Sequence, residues 1–191
     1  MQVAVQRLSA VEFHRLAPQA VELYLQAMGY PHTIAPTRTQ AWRAATSRTG
    51  FHSIAAFAIA PQTTRLAGIA YGSTGQPHDW WARHVRAGLA ATGQDAQWLE
   101  NYFELSEIHV APQFQGRGVG HQLLEQLESL VRTPAILLST PEVAGEHNAA
   151  FHLYRAHGYK DVLRHYTFPG DHRPFAILGK KLTQPHTNTG T

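Results

Sequence analysis

The chain has 191 residues, 43% hydrophobic and 15% charged, enough to bury one globular core and unlike a disordered segment. A formal charge of +3 suits an anionic ligand but lacks the dense basic face of a nucleic-acid binder. The absence of cysteine excludes disulfides, thiolate metal sites and a cysteinyl-enzyme intermediate, and fits a reducing compartment.

Residues 2 to 8 alternate as a strand and lack the apolar core of a signal peptide. Ser9 and Glu12 form a capping box that opens a helix. Pro18 is expected to restart it, since proline suits a first turn, with Val21, Leu25 and Met28 on one face of the second piece. A loop over 29–36 precedes a helix near 39–48. Segments 51–60 and 65–72 read as a hairpin around Pro61-Gln62-Thr63-Thr64. An insertion over about 76–100 holds a helix at 79–90, where Trp81, Val85 and Leu89 share one face. Trp80 lies off that stripe, which leaves it to a neighbouring subunit of a homodimer, an acceptor pocket or plain exposure.

A strand over 102–110 leads into a glycine-rich turn and a helix at 118–132, whose apolar stripe is Val119, Leu123, Leu127 and Leu130. A strand at 135–139, a helix at 146–157 and strands at 160–168 and 174–182 follow. The polar end, 183–191, reads as a flexible tail. The expectation is one α/β domain over 1–182, with a mixed sheet. No run reaches the length needed to span a bilayer, so a soluble, cytoplasmic protein with no membrane or nucleic-acid partner is expected. Thirteen histidines invite a metal site, but no His-Glu-x-x-His occurs and His147, His152 and His157 spread around a helix, so none is expected.

The chemistry concentrates at Gln115-Gly116-Arg117-Gly118-Val119-Gly120. Glycine lets the backbone turn sharply and lets a ligand approach the main chain. The first amides of a helix lack intrahelical partners and carry its partial positive charge. A strand feeding such a turn is a phosphate cradle. It is not a Walker loop, which would end in Gly-Lys-Ser/Thr, and a dinucleotide fingerprint would need glycine where His121 stands.

Gln115, Gly118 and Gly120 fit the pattern Q/R-x-x-G-x-G/A, and here the chain resembles the GNAT superfamily of acetyl-CoA-dependent N-acetyltransferases. Asn148-Ala-Ala-Phe-His-Leu-Tyr-Arg-Ala-His-Gly-Tyr159 resembles that family's N-x-x-A-x-x-x-Y-x-x-x-G-F/Y helix, with its alanines at 149 and 150 instead of 151. The resemblance covers about residues 102–182. It implies a mostly antiparallel GNAT-like sheet flanked by helices, and acetyl-CoA as cosubstrate. Its pyrophosphate would lie on the amides of Gly116 to Gly120, its pantetheine arm along Ile108, His109 and Val110, and Asn148 would reach the same arm. Asn148 is equally an N-cap.

By the same resemblance Glu104, fourteen residues before Gly118, is the general base and Tyr154 the proton donor to the leaving thiolate. In a regular strand Glu104 and Glu107 face opposite ways, and Glu107 reads as structural or solvent-facing. The acceptor is expected to be a small-molecule primary amine ahead of a protein, near Tyr30, His32 and the 169–174 turn. Attack would be direct, in a ternary complex. The alternatives are a non-catalytic acyl-CoA sensor and an acetyltransferase of protein termini or lysines.

Overall fold

The alternation of the first residues becomes strand β1 (Gln2–Leu8) in the computed structural model, which describes residues 2–182. Ser9 then closes the capping box: its hydroxyl accepts from the Glu12 amide at 3.2 Å, and Glu12 Oε2 accepts from the Ser9 amide at 2.7 Å. Helix α1 (Ala10–Met28) runs unbroken until Gly29 takes a φ of 67°. The expected restart at Pro18 does not occur. Proline removes the amide that would have bonded the His14 carbonyl. Arg43 Nε, on helix α2 (Ala35–Ala45), donates to that oxygen at 3.2 Å.

Strands β2 (His52–Ala60) and β3 (Thr63–Thr74) form the hairpin, joined by Pro61 and Gln62 alone. Helix α3 (Trp80–Ala91) precedes β4 (Phe103–Val110), α4 (Val119–Leu130), β5 (Ala135–Pro141), α5 (Ala149–Ala156), β6 (Lys160–Tyr166) and β7 (Phe175–Lys181). The strand order is β1-β2-β3-β4-β5-β7-β6. β1–β2, β2–β3, β5–β7 and β6–β7 pair antiparallel, and β4–β5 in parallel. This is the expected mixed, mostly antiparallel sheet with flanking helices. Helix α5 begins at Ala149 and not at 146, because Gly145 (φ 61°) and Glu146 (φ 57°) are left-handed. The expected tail, 183–191, lies outside the described residues.

The chain divides into two compact units. The first runs to Thr74 and adds Leu105–Val131; the second is Gly75–Glu104 together with the chain from Arg132 onward. In the first, strand alternation sends Ile69 and Tyr71 toward α1 and α2, where they join Phe13, Tyr24 and Trp42 in one buried cluster. Gly68 faces α4 instead. A Cβ there would meet Leu123 Cδ1 at 2.8 Å and the His109 carbonyl at 3.0 Å, so glycine is what lets α4 seat on the strand. Val119, Leu123, Leu124 and Leu127 are buried, which stabilises the helix by about 1.5–3 kcal/mol for each large side chain.

In the second unit the predicted stripe Trp81, Val85 and Leu89 is buried with Leu137, Val162, Leu163 and Ile177. Trp81 also donates from Nε1 to Ser139 Oγ at 3.2 Å. The insertion's helix is therefore part of this unit's core. Trp80, off the stripe, is 49% exposed and lies against Phe168, with ring centroids 5.4 Å apart.

Candidate active site

The glycine turn belongs to the first unit and is exposed from Gln115 to Gly118. Gly116 (φ 70°) and Gly118 (φ 76°) are both left-handed, a conformation that costs other residues roughly 1–2 kcal/mol. Neither has an atom within 4 Å of a notional Cβ, so the turn opens outward. Gly118 is the N-cap of α4, while Gly120 is already inside its first turn. The first bond of the helix runs from Gln122 N to Gly118 O at 3.1 Å, so the amides of Gly118, Val119 and Gly120 precede it.

Gln115 is committed to bracing the loop: its amide donates to Pro112 O at 3.3 Å and its side chain to Val110 O at 3.0 Å. Arg117 is exposed and adds positive charge to the turn. Ile108, His109 and Val110, at the end of β4, are each half-buried.

One feature here escaped the sequence reading. His109 Nε2 lies 2.7 Å from Glu107 Oε2, and the side chains are 11% and 21% exposed. Glu107 thus has a partner on its own strand. The signal was present, since residues two apart on a strand share a face. Tyr30, expected near the acceptor, packs edge-on against Tyr24, and His32 meets Glu22 at 3.2 Å.

Glu104, Asn148 and Tyr154 belong to the second unit. Glu104 is half-buried and pairs with Leu137 in the β4–β5 ladder, which among the described residues comprises Phe103↔Ile136 and Glu104↔Leu137. Asn148 is an N-cap, its Oδ1 accepting from the Phe151 amide at 2.8 Å. Tyr154, 6% exposed, packs against Tyr159, with centroids 5.7 Å apart.

A charge network braces the start of α5. Arg155 makes a forked pair with Glu146, at 2.6 and 2.9 Å, and also bonds Asp161. Arg164 bonds Glu142 at 2.7 Å and Glu146 at 2.9 Å. Both guanidinium groups lie over the Phe151 ring, 5.8 and 5.7 Å from its centroid. The Arg155 bonds are the main cause holding the Glu146 carboxyl below its ordinary range. Burial pushes Glu142 up, but the Arg164 and His165 hydrogen bonds and charges outweigh it, and that carboxyl too is held low. In the 169–174 turn, Arg173 pairs with Asp171 at 2.6 Å and lowers its carboxyl to about 2.

A seven-stranded, mostly antiparallel sheet with a glycine turn at the head of α4 is an acyltransferase architecture of the GNAT type. A family model described as Acetyltransferase (GNAT) domain matches residues 77–161. A GCN5-like protein acetyltransferase of Mycobacterium tuberculosis is 37% identical over 90% of this chain and 94% of its own length. Two solved structures share the fold. The ribosomal-protein-S18-alanine N-acetyltransferase of Escherichia coli has a TM-score of 0.61 at 15% identity, covering 100% of both chains. The PaiA N-acetyltransferase of Thermoplasma acidophilum, solved with coenzyme A, has a TM-score of 0.59 at 15% identity over 95% of this chain and 100% of that one. The chain belongs to the GNAT family of acetyltransferases, and is an acyltransferase with acetyl-CoA as cosubstrate. Among the described residues no helix is long and apolar enough to cross a membrane.

Proposed function

We propose that this chain transfers the acetyl group of acetyl-CoA to a primary amine by direct attack in a ternary complex. The observation that carries the reading is the exposed turn in which Gly116 and Gly118 adopt left-handed φ ahead of α4. Its geometry suits a pyrophosphate: amides in series, the positive end of a helix, and open space in front. When bound, acetyl-CoA supplies an acyl group already activated as a thioester.

The amides of Gly116 to Gly120 hold the anion, and Gln115 keeps their loop in shape. The backbone of Ile108, His109 and Val110 aligns the cofactor arm, the Ile108 amide polarises the acyl carbonyl, and the Asn148 amide adds a donor. Glu104 accepts a proton from the attacking nitrogen. Tyr154 supplies a proton to the leaving sulfur. With no cysteine in the chain, a thiol-borne acyl-enzyme is excluded.

A second reading concerns the acceptor. The sequence favours a small amine, but the relative at 37% identity is named a protein acetyltransferase, which favours an amine carried on a protein. Free CoA release, measured over a panel of small amines, N-terminal peptides and lysine peptides beside an acetyl-CoA binding titration, tests both. Transfer to peptides alone selects the protein reading. Cofactor binding with no CoA release to any amine overturns transfer.

A further inference from the structure

Amide formation from an ammonium acceptor must dispose of two protons, one before attack and one after it. The structure holds a second acid–base device, in the first unit, that the mechanism above leaves unused. Glu107 and His109 are side by side on β4, with Oε2 and Nε2 2.7 Å apart. A carboxylate on Nε2 holds the neutral imidazole as the Nε2–H tautomer and leaves the lone pair on Nδ1.

The ring is oriented on two further sides. Tyr24 of α1 meets it edge-on at 4.9 Å, and Trp42 of α2 lies nearly parallel to it at 6.3 Å. Trp42 is 1% exposed, and its indole N–H is buried with no acceptor among the described residues. A buried, unmet donor costs about 1–3 kcal/mol, and an orphan of that kind calls for an explanation such as a ligand that completes it. A carboxylate, an oriented imidazole and an unsatisfied indole N–H thus belong to one aromatic cluster. Other charged or titratable groups at this cluster are the phenols of Tyr24, Tyr30 and Tyr71, and Arg38, whose guanidinium lies 5.5 Å over the Tyr24 ring.

We propose that His109 is the acceptor-side base, with Glu107 as its positioning residue and Trp42 Nε1 as a donor to a polar atom beside the acceptor's amine. This rests on the transferase reading. His109 Nδ1 takes a proton from the ammonium and returns it to solvent. The freed amine forms the C–N bond as the C–S bond breaks. The nitrogen's second proton leaves once that bond has formed, and is balanced by the one the leaving sulfur takes up. The net release is one proton per turnover. The acceptor class is a cationic primary amine with a hydrogen-bond acceptor close to it, as in a lysine side chain presented by a peptide or an amino amide.

The test compares wild type with His109→Gln, Glu107→Gln and Trp42→Phe, using an N-terminally blocked lysine peptide and a simple arylalkylamine as acceptors. kcat/KM is read from pH 6 to 9, with acetyl-CoA Kd measured separately. His109→Gln should lower kcat/KM by roughly 10²-fold near neutrality and remove the acidic limb of the profile, with activity recovering as pH rises. Glu107→Gln should retain a displaced limb at a lower kcat. Trp42→Phe, which keeps a ring and removes the N–H, should raise acceptor KM with cofactor Kd unchanged.

A folded His109→Gln enzyme with the wild-type pH profile overturns the proposal, as does a loss that is uniform across pH. If His109→Gln does not fold, the Glu107→Gln profile and the wild-type His109 proton NMR signal decide. A signal unmoved by saturating acceptor counts against the pair. Wild type that releases no CoA to any amine defeats the transferase reading itself, which is a separate result.

Discussion

Replacing Gly118 separates the geometry of the turn from its charge. Its φ of 76° is left-handed, and a Cβ would meet no atom within 4 Å. Gly118→Asn and Gly118→Asp are nearly isosteric, so both should incur the same backbone strain, about 1 kcal/mol or less because Asn and Asp tolerate this region. Their unfolding free energies should agree within about 1 kcal/mol. Cofactor affinity should not agree. Two unit charges 4 Å apart interact by roughly 4 kcal/mol at an effective dielectric of 20, and exposure of the turn reduces that to about 2. The aspartate variant should therefore bind CoA roughly 30- to 10³-fold more weakly than the asparagine variant, with the gap narrowing in high salt. Calorimetric titration with CoA at two salt concentrations, beside thermal unfolding, measures both quantities. Equal CoA affinity for the two folded variants would refute the assignment of pyrophosphate to these amides.

Tyr154→Phe should lower kcat by about 10²-fold or more with cofactor Kd unchanged; near-normal turnover where chemistry is rate-limiting would leave Tyr154 a packing residue against Tyr159. Glu104→Gln should lose most activity at low pH, where free amine is scarce, and an unchanged pH–rate profile would remove it as a base. Trp81→Ala should destabilise the fold by about 3–5 kcal/mol, since the ring is buried and its N–H bonds Ser139, whereas Trp80→Ala, half-exposed, should cost far less; chemical denaturation compares them. Acid should weaken the second unit. Glu142, Glu146 and Asp171 have depressed carboxyls, so their contribution is present above the ordinary values of 4.5 and 3.8 and is lost as pH falls through the lowered ones, to about 2 for Asp171. Thermal melts between pH 6 and 2 should show the decline, and Arg164→Gln should flatten it.

Most elements were legible because their signals are local. The Ser9–Glu12 box, the stripe of Trp81, Val85 and Leu89, and the Pro61-Gln62 turn between β2 and β3 depend on neighbours within a few residues. Gly120 lies inside α4, as the expected span of 118–132 required, whereas Gly118 stands just before it as a left-handed N-cap. The errors fall where a distant group intervenes. Pro18 obeys the rule for helix breaking until Arg43, 25 positions later, supplies the missing hydrogen bond. The late start of α5 comes from left-handed Gly145 and Glu146, the latter held by Arg155 and Arg164. The Glu107–His109 pair follows from strand periodicity, but the aromatic rings that orient it come from two other helices.

The insertion between β3 and β4 has a consequence for engineering. Gly88 of α3 would bring a Cβ to 2.5 Å from Leu163 and 2.8 Å from Tyr166, both on β6. Gly179 of β7 would bring one to 2.7 Å from Trp98, in the insertion's second half. Each side of the joint thus omits a side chain to admit one from the other. The insertion is consequently not a detachable module. A chimera that grafts residues 76–100 onto another scaffold, or trims them from this one, must exchange glycine and bulky partner together, and a library that varies either side alone will mostly sample clashes and voids.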